Sequence, residues 1–171
     1  MQSKVRGLTR RRFAGGFALA LGGAAAGLRG QSMQQVPSSA ANDTRTSLHQ
    51  EVELAANAAR IETTLLDAKQ FAAFTGLAAT IDRQEGGAFS LFGGLIVGRN
   101  VELVSGTRVV QAWRPTHWDP GVYSMVKFEF KPKGSGTLVV LDHTGFPAGE
   151  YDHLAWGWTA HYWDSLRKFL A

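Results

Sequence analysis

Five histidines, His49, His117, His143, His153 and His161, are the first residues in this chain from which chemistry would be expected. An imidazole can ligate a metal or move a proton near neutral pH. None of the five forms a His-x-His pair, and none pairs at i, i+4 around a glutamate, the spacings that place two imidazoles on one ion within a single element. The absence of cysteine removes thiolate nucleophiles, disulfides and sulfur-bound zinc together. The sequence therefore predicts no metal site and no cofactor. Ser124 falls in a strand-like run, with neither a Gly-x-Ser-x-Gly elbow nor a histidine near it in sequence. Glu53, Glu129 and Asp142 would act as acid or base only if enclosed, because desolvation raises a carboxylate's pKa; as strand residues they are expected to face solvent. Gly86-Gly87 and Gly93-Gly94 neither open a helix nor precede Lys-Ser/Thr, so they read as turns and not phosphate loops. No catalytic residue is assigned, and the reading leans away from an enzyme.

Binding chemistry has more to draw on. Phe89, Trp113, Phe128, Phe130 and Trp158 are the aromatic residues best placed to face inward, where they would either fill a core or offer flat apolar walls to a ligand. Arg114 closes the phrase Gln111-Ala112-Trp113-Arg114. It would anchor an anionic head group or form an ion pair with Glu102 or Glu129.

The elements that must position these residues begin at Leu48. Leu48 to Leu54 alternates apolar and polar residues as a half-buried strand does. Asn57 is a plausible N-cap for a short helix over 60–67, and a second helical piece over 68–74 ends at Gly76. Strands are then predicted over 80–83, 88–92, 95–104, 107–114, 123–131 and 137–143, punctuated by glycine-containing turns that fit an antiparallel meander. A final helix spans roughly 149–169. Tyr151, Ala155, Trp158, Tyr162, Leu166 and Phe169 recur on one apolar face of it, with Trp156, Trp163 and Leu170 on a second line.

Ahead of this domain, Thr9-Arg10-Arg11-Arg12-Phe13 and the uncharged apolar run from Ala14 to Leu28 fit a twin-arginine export signal. Residues 1–28 are read as that signal, 29–46 as a disordered linker and 47–171 as the folded domain. The predicted location is periplasmic or secreted, with membrane contact limited to export; a non-functional leader would leave the chain cytoplasmic. Residues 1–46 carry a net charge of +6, and the remainder carries −2, so the high pI belongs to the leader. A mildly acidic domain lacks the concentrated positive face that nucleic acid requires.

The phrases VVQAWRPTHWDPGVYSMVKFEF, GTLVVLDHTGFP and LAWGWTAHYWDSLRKFL, with Phe71 to Gly76 and Gly86 to Ser90 before them, resemble the START-like (SRPBCC) superfamily. More narrowly, they resemble the bacterial homologues of the activator of the ninety-kilodalton heat-shock protein ATPase. The resemblance implies an α+β helix-grip fold, a curved antiparallel sheet around a long C-terminal helix with two short helices after the first strand. It also implies a cavity between sheet and helix, lined as a set by Phe89, Trp113, Phe128, Phe130, Trp158 and Tyr162, with Arg114 at its mouth. The expected ligand is small and hydrophobic or amphipathic. A chaperone-type protein partner is the alternative, and an enzyme working inside the cavity is a third possibility. Trp156 departs from the family pattern, and is expected to pack under a neighbouring loop unless it lies outside as a contact point.

Overall fold

Alternation of apolar and polar residues makes strands that bury one face. In the computed structural model, which describes residues 43–171, seven such strands form one sheet. They are β1 (Ser47–Leu54), β2 (Thr80–Ile81), β3 (Ala88–Leu91), β4 (Ile96–Val104), β5 (Arg108–Pro115), β6 (Ser124–Lys133) and β7 (Gly136–Thr144). Their order is β1-β7-β6-β5-β4-β3-β2, antiparallel throughout. Helices α1 (Ala58–Leu66) and α2 (Ala68–Thr75) lie between β1 and β2 in sequence. The chain ends in one continuous helix made of α3 (Tyr151–Gly157), a π-helical turn (Trp158–Trp163) and α4 (Asp164–Leu170). This is the helix-grip arrangement expected. The expected leader, residues 1–28, and residues 29–42 of the expected linker lie outside the described residues.

Local chemistry explains most boundaries. The Asn57 side chain accepts from the Arg60 N–H at 2.9 Å and starts α1. Asp67, expected to end that helix, instead starts the next: its carboxylate accepts from the N–H groups of Lys69 and Gln70 at 3.1 and 2.9 Å. Gly76 ends α2 in the left-handed region at φ 72°. β6 runs past its expected end, through Pro132 to Lys133. Its ladder with β5 stops at Glu129, so the missing N–H of Pro132 removes no bond from that ladder.

The final helix departs most from its sequence pattern. Periodicity sets Trp163 and Leu170 off the buried face, yet they are 2% and 6% exposed. A π turn holds more residues per turn than an α turn, so every side chain after it is rotated relative to a regular helix. Trp163 is thereby buried beside Trp158 and Tyr162, which the ordinary period already turns inward. Trp156, before the turn, stays outside at 59% exposure with the His161 ring edge-on at 4.6 Å, so it does not pack under a loop.

The core sits between the sheet and this helix, with α1 and α2 closing one side. Ile61, Phe71, Val109, Val126, Phe128, Val139, Leu141 and Leu166 are completely buried, each contributing roughly 1.5–3 kcal/mol. Residues 43–46 carry no regular structure but are tied to the domain. The Gly149 N–H donates to the Asp43 carbonyl at 2.9 Å, and the Gly145 N–H to the Thr46 carbonyl at 2.8 Å. The Arg45 guanidinium bonds Asp43 and Asp152 at 2.7 and 3.1 Å while lying 3.4 Å above the Tyr151 ring.

Candidate binding site between sheet and C-terminal helix

Side chains from β3, β5, β6 and the π turn converge on one aromatic cluster. Trp113 stacks on Trp158 with ring centroids 5.0 Å apart, and Phe89 meets Trp113 edge-on at 6.3 Å. Phe128 stacks on Tyr162 at 6.0 Å and meets Trp158 edge-on at 5.8 Å. Phe89 has room because Gly98, its partner across the β3–β4 ladder, has no side chain. A Cβ there would strike both the Ala112 carbonyl of β5 and the Phe89 ring. Five of the six aromatic residues expected at the site are thus linked by ring-to-ring pairs, Phe89 through Trp113 alone. Phe130 is buried in the same core but lies farther along β6, and among the described residues no ring pairs with it.

Arg114 does not join them. It follows Trp113 by one residue, and so projects from the opposite face of the strand. Its guanidinium donates to the Trp118 carbonyl at 3.4 Å. The ion pairs expected for it are taken elsewhere: Glu102 holds Arg108 at 2.7 Å, and Glu129 lies 3.5 Å from Lys127.

Beneath the rings runs a directed chain of hydrogen bonds that the sequence did not reveal. His143 is completely buried. The Trp158 indole N–H donates to its Nδ1 at 3.0 Å, and its Nε2 lies 2.7 Å from Ser124 Oγ. An indole nitrogen only donates, so Nδ1 must accept and the proton sits on Nε2, which donates to Ser124. Ser124 then donates to the Trp113 carbonyl at 3.3 Å. Burial pushes the His143 pKa down to about 3, keeping the ring neutral. The serine–histidine contact has the separation of a nucleophile and its base but the wrong polarity. The nitrogen facing the hydroxyl already carries a proton, and an indole donor stands where a carboxylate would orient the ring. A second chain runs from Trp113 Nε1 to Gln111 Oε1, from Gln111 Nε2 to Asn100 Oδ1, and from Asn100 Nδ2 to the Asp82 carbonyl, at 2.9, 2.9 and 2.7 Å. Both fix ring orientation without leaving a reactive group.

Two groups stand out against this saturation. Tyr162 is 2% exposed, burial pushes its pKa up, and no hydrogen bond from its hydroxyl is present among the described residues. Above it lies the half-buried ring of Phe92, 6.2 Å away. Phe92 sits in the left-handed region at φ 53°, followed by Gly93 and Gly94 at 68° and 98°. A bulky residue there costs roughly 1–2 kcal/mol, a strain that concentrates at ligand clamps. The three carboxylates considered for acid–base work show no such promise. Glu53 is exposed beside Lys133. Asp142 accepts from His49 at 2.7 Å and Lys127 at 3.0 Å; the histidine bond above all holds its carboxyl below the usual range.

The family described as "Activator of Hsp90 ATPase homolog 1-like protein" matches residues 55–171. The chain belongs to this family. It is 38% identical over 96 residues to an activator of 90 kDa heat shock protein ATPase homolog from Dictyostelium discoideum, covering 56% of this chain and 25% of that protein. The human activator homolog 1 is 28% identical over 96 residues, covering 56% of this chain and 28% of its own length. The crystal structure of an HSP90 activator from Plasmodium falciparum superposes with TM-score 0.70 at 26% identity, covering 74% of this chain and 96% of that one. The chain therefore spans little more than a quarter of the curated relatives it matches, and nearly all of the solved Plasmodium chain.

Proposed function

We propose that this domain binds a small, mostly apolar molecule carrying one hydrogen-bonding group, in the space where β5, β6 and the π turn meet. The observation behind this reading is the cluster of Phe89, Trp113, Phe128, Trp158 and Tyr162 between sheet and helix, in which the Tyr162 hydroxyl makes no hydrogen bond among the described residues. Apolar walls with a few placed polar groups are what small-molecule sites offer. Phe92, half-buried on its strained turn, has its ring centroid 6.2 Å from that of Tyr162, and a shift of this ring would open that side of the cluster. We further propose that the twin-arginine leader exports the domain already folded, so that the ligand is met outside the cytoplasm.

Native mass spectrometry of protein from the exported fraction tests both statements. An excess mass that disappears on denaturation supports the ligand, and a denatured mass lacking the leader supports export. Tyr162→Phe should abolish the excess mass while changing stability by less than about 1 kcal/mol, since no hydrogen bond among the described residues is lost with the hydroxyl. A bare native mass, with no change in tryptophan fluorescence across a panel of hydrophobic compounds, would refute the ligand.

The identity to named chaperone activators favours a second reading, a surface that engages a chaperone-type protein. Stimulation of a purified ninety-kilodalton heat-shock ATPase by the isolated chain would support it; an unchanged rate with no detectable complex would remove it.

A further inference from the structure

From the geometry of a second cluster, remote from the aromatic site in chemistry, we infer a surface site for one divalent transition-metal ion of the zinc class, held by His117, Glu150 and His153. Their ligand atoms all lie within 4.8 Å of one another. His117 Nε2 is 3.3 Å from Glu150 Oε2, and His153 Nδ1 is 3.8 Å from the same oxygen. Zinc takes nitrogen and oxygen ligands at about 2.0–2.2 Å, so neighbouring ligand atoms around a tetrahedral ion stand about 3.3–3.5 Å apart. The first separation already meets that requirement. The second closes by a few tenths of an ångström with a small turn of an exposed side chain.

Shared hydrogen bonding explains the cluster less well. At 3.8 Å the His153–Glu150 contact is too long for a hydrogen bond, yet this nitrogen and that of His117 face one oxygen. The two imidazoles lie nearly parallel, 11° apart, with centroids separated by 5.7 Å. Glu150 precedes the first turn of α3 but makes no capping bond there, so its carboxylate is turned to the histidines, His117 Nε2 at 3.3 Å and His153 Nδ1 at 3.8 Å.

Each ligand stands on anchored backbone. His117 is bracketed by Thr116, whose N–H and hydroxyl both donate to the Leu95 carbonyl, and by Trp118, whose N–H donates to the Pro115 carbonyl and whose ring is buried. Glu150 and His153 share the start of α3, fixed by the Leu154 N–H donating to the Glu150 carbonyl at 2.9 Å. The histidine side chains are 52% and 65% exposed, so an ion reaches them directly from solvent. Two imidazoles and one carboxylate suit zinc, cobalt, nickel or copper, and not calcium or magnesium, which prefer all-oxygen shells. Three protein ligands leave a fourth position for water or another small ligand.

The test uses the full-length chain, free of any affinity tag and stripped by chelator, titrated calorimetrically with zinc chloride and, in parallel, with cobalt chloride followed by visible absorption. Zinc should bind one-to-one, cobalt should give a tetrahedral-type spectrum that zinc displaces, and magnesium should give no heat. His117→Ala, His153→Ala and Glu150→Gln should each weaken binding by about tenfold or more. His161→Ala should not, and circular dichroism of every variant should match the parent. No zinc heat, or equal affinity in the His117→Ala/His153→Ala double variant, would overturn the assignment.

Discussion

The buried His143 should make the fold acid-sensitive in a way that one substitution removes. Its pKa falls from 6.5 to about 3 on folding because the ring loses water and meets no compensating anion. The unfolded chain therefore takes up a proton that the native state refuses. Above the unfolded value, neither state binds it and stability is unaffected by this group. As pH falls from 6.5 towards 3, stability is lost at about 1.4 kcal/mol per pH unit. By about pH 4.5 the loss from this residue alone amounts to about 3 kcal/mol, a large part of a typical domain's stability. Urea unfolding followed by tryptophan fluorescence at about pH 7.5 and about pH 4.5 measures it. His143→Gln keeps an amide able to donate and accept but does not titrate. It should lower stability near neutrality by about 1–3 kcal/mol through imperfect bonds to Trp158 and Ser124. Between the two pH values, however, it should lose about 3 kcal/mol less than the parent. Surface carboxylates such as Asp142 titrate in both proteins and cancel in that difference. Parallel losses in parent and variant would refute the buried neutral imidazole.

Two further substitutions probe the parts that position the site. Gly98→Ala should destabilise by about 1–3 kcal/mol, since its methyl group drives into the Ala112 carbonyl and the Phe89 ring; a near-ultraviolet circular dichroism change from the displaced Phe89–Trp113 pair should accompany the lower urea midpoint. Asp67→Ala removes both side-chain bonds at the start of α2 and should cost about 0.5–2 kcal/mol in the same unfolding assay, with the aromatic near-ultraviolet signal retained.

What the sequence made legible follows its periodicities. Alternation located β1, and turn punctuation the six strands after it, within a few residues, and the left-handed need at Gly76 ended α2 where expected. Asn57 capped α1 as read, but Asp67 competed as a cap for the next helix, and its side chain won because two free N–H groups follow it. The inward aromatics were recognisable because a strand position two residues from one buried residue is buried too, as in Val126, Phe128 and Phe130. Arg114 was misplaced for the same reason in reverse: adjacency to Trp113 along the chain means opposition across the sheet. The His143–Ser124 contact needs register, which no local pattern supplies. Counting outward from the β6–β7 turn pairs Val126 with His143, two residues from Ser124, and would have flagged it. The His117–Glu150–His153 cluster joins a loop to a helix start more than thirty residues away in sequence, beyond the reach of spacing rules. The π turn had no signal, since its wider winding makes Trp163 look misaligned in a helix of ordinary period.

The sheet order carries a consequence for how this chain assembles. β2 to β7 form a succession of hairpins, each closed by neighbours in sequence, so each can form with little loop-closure entropy. β1 is different. Its partner is β7, with Ser47 opposite Thr144 and Leu54 opposite Thr137, so every other strand is enclosed in the loop this pairing closes. During synthesis, β1 leaves the ribosome first and waits longest, with Leu48, Val52 and Leu54 exposed until β7 arrives. The Arg45 clasp onto Asp152 and Tyr151 lies at that same late junction and joins the segment just before β1 to the last helix. Under the export proposed above, the domain would then be competent only after β1 has met β7 and Arg45 has met the last helix.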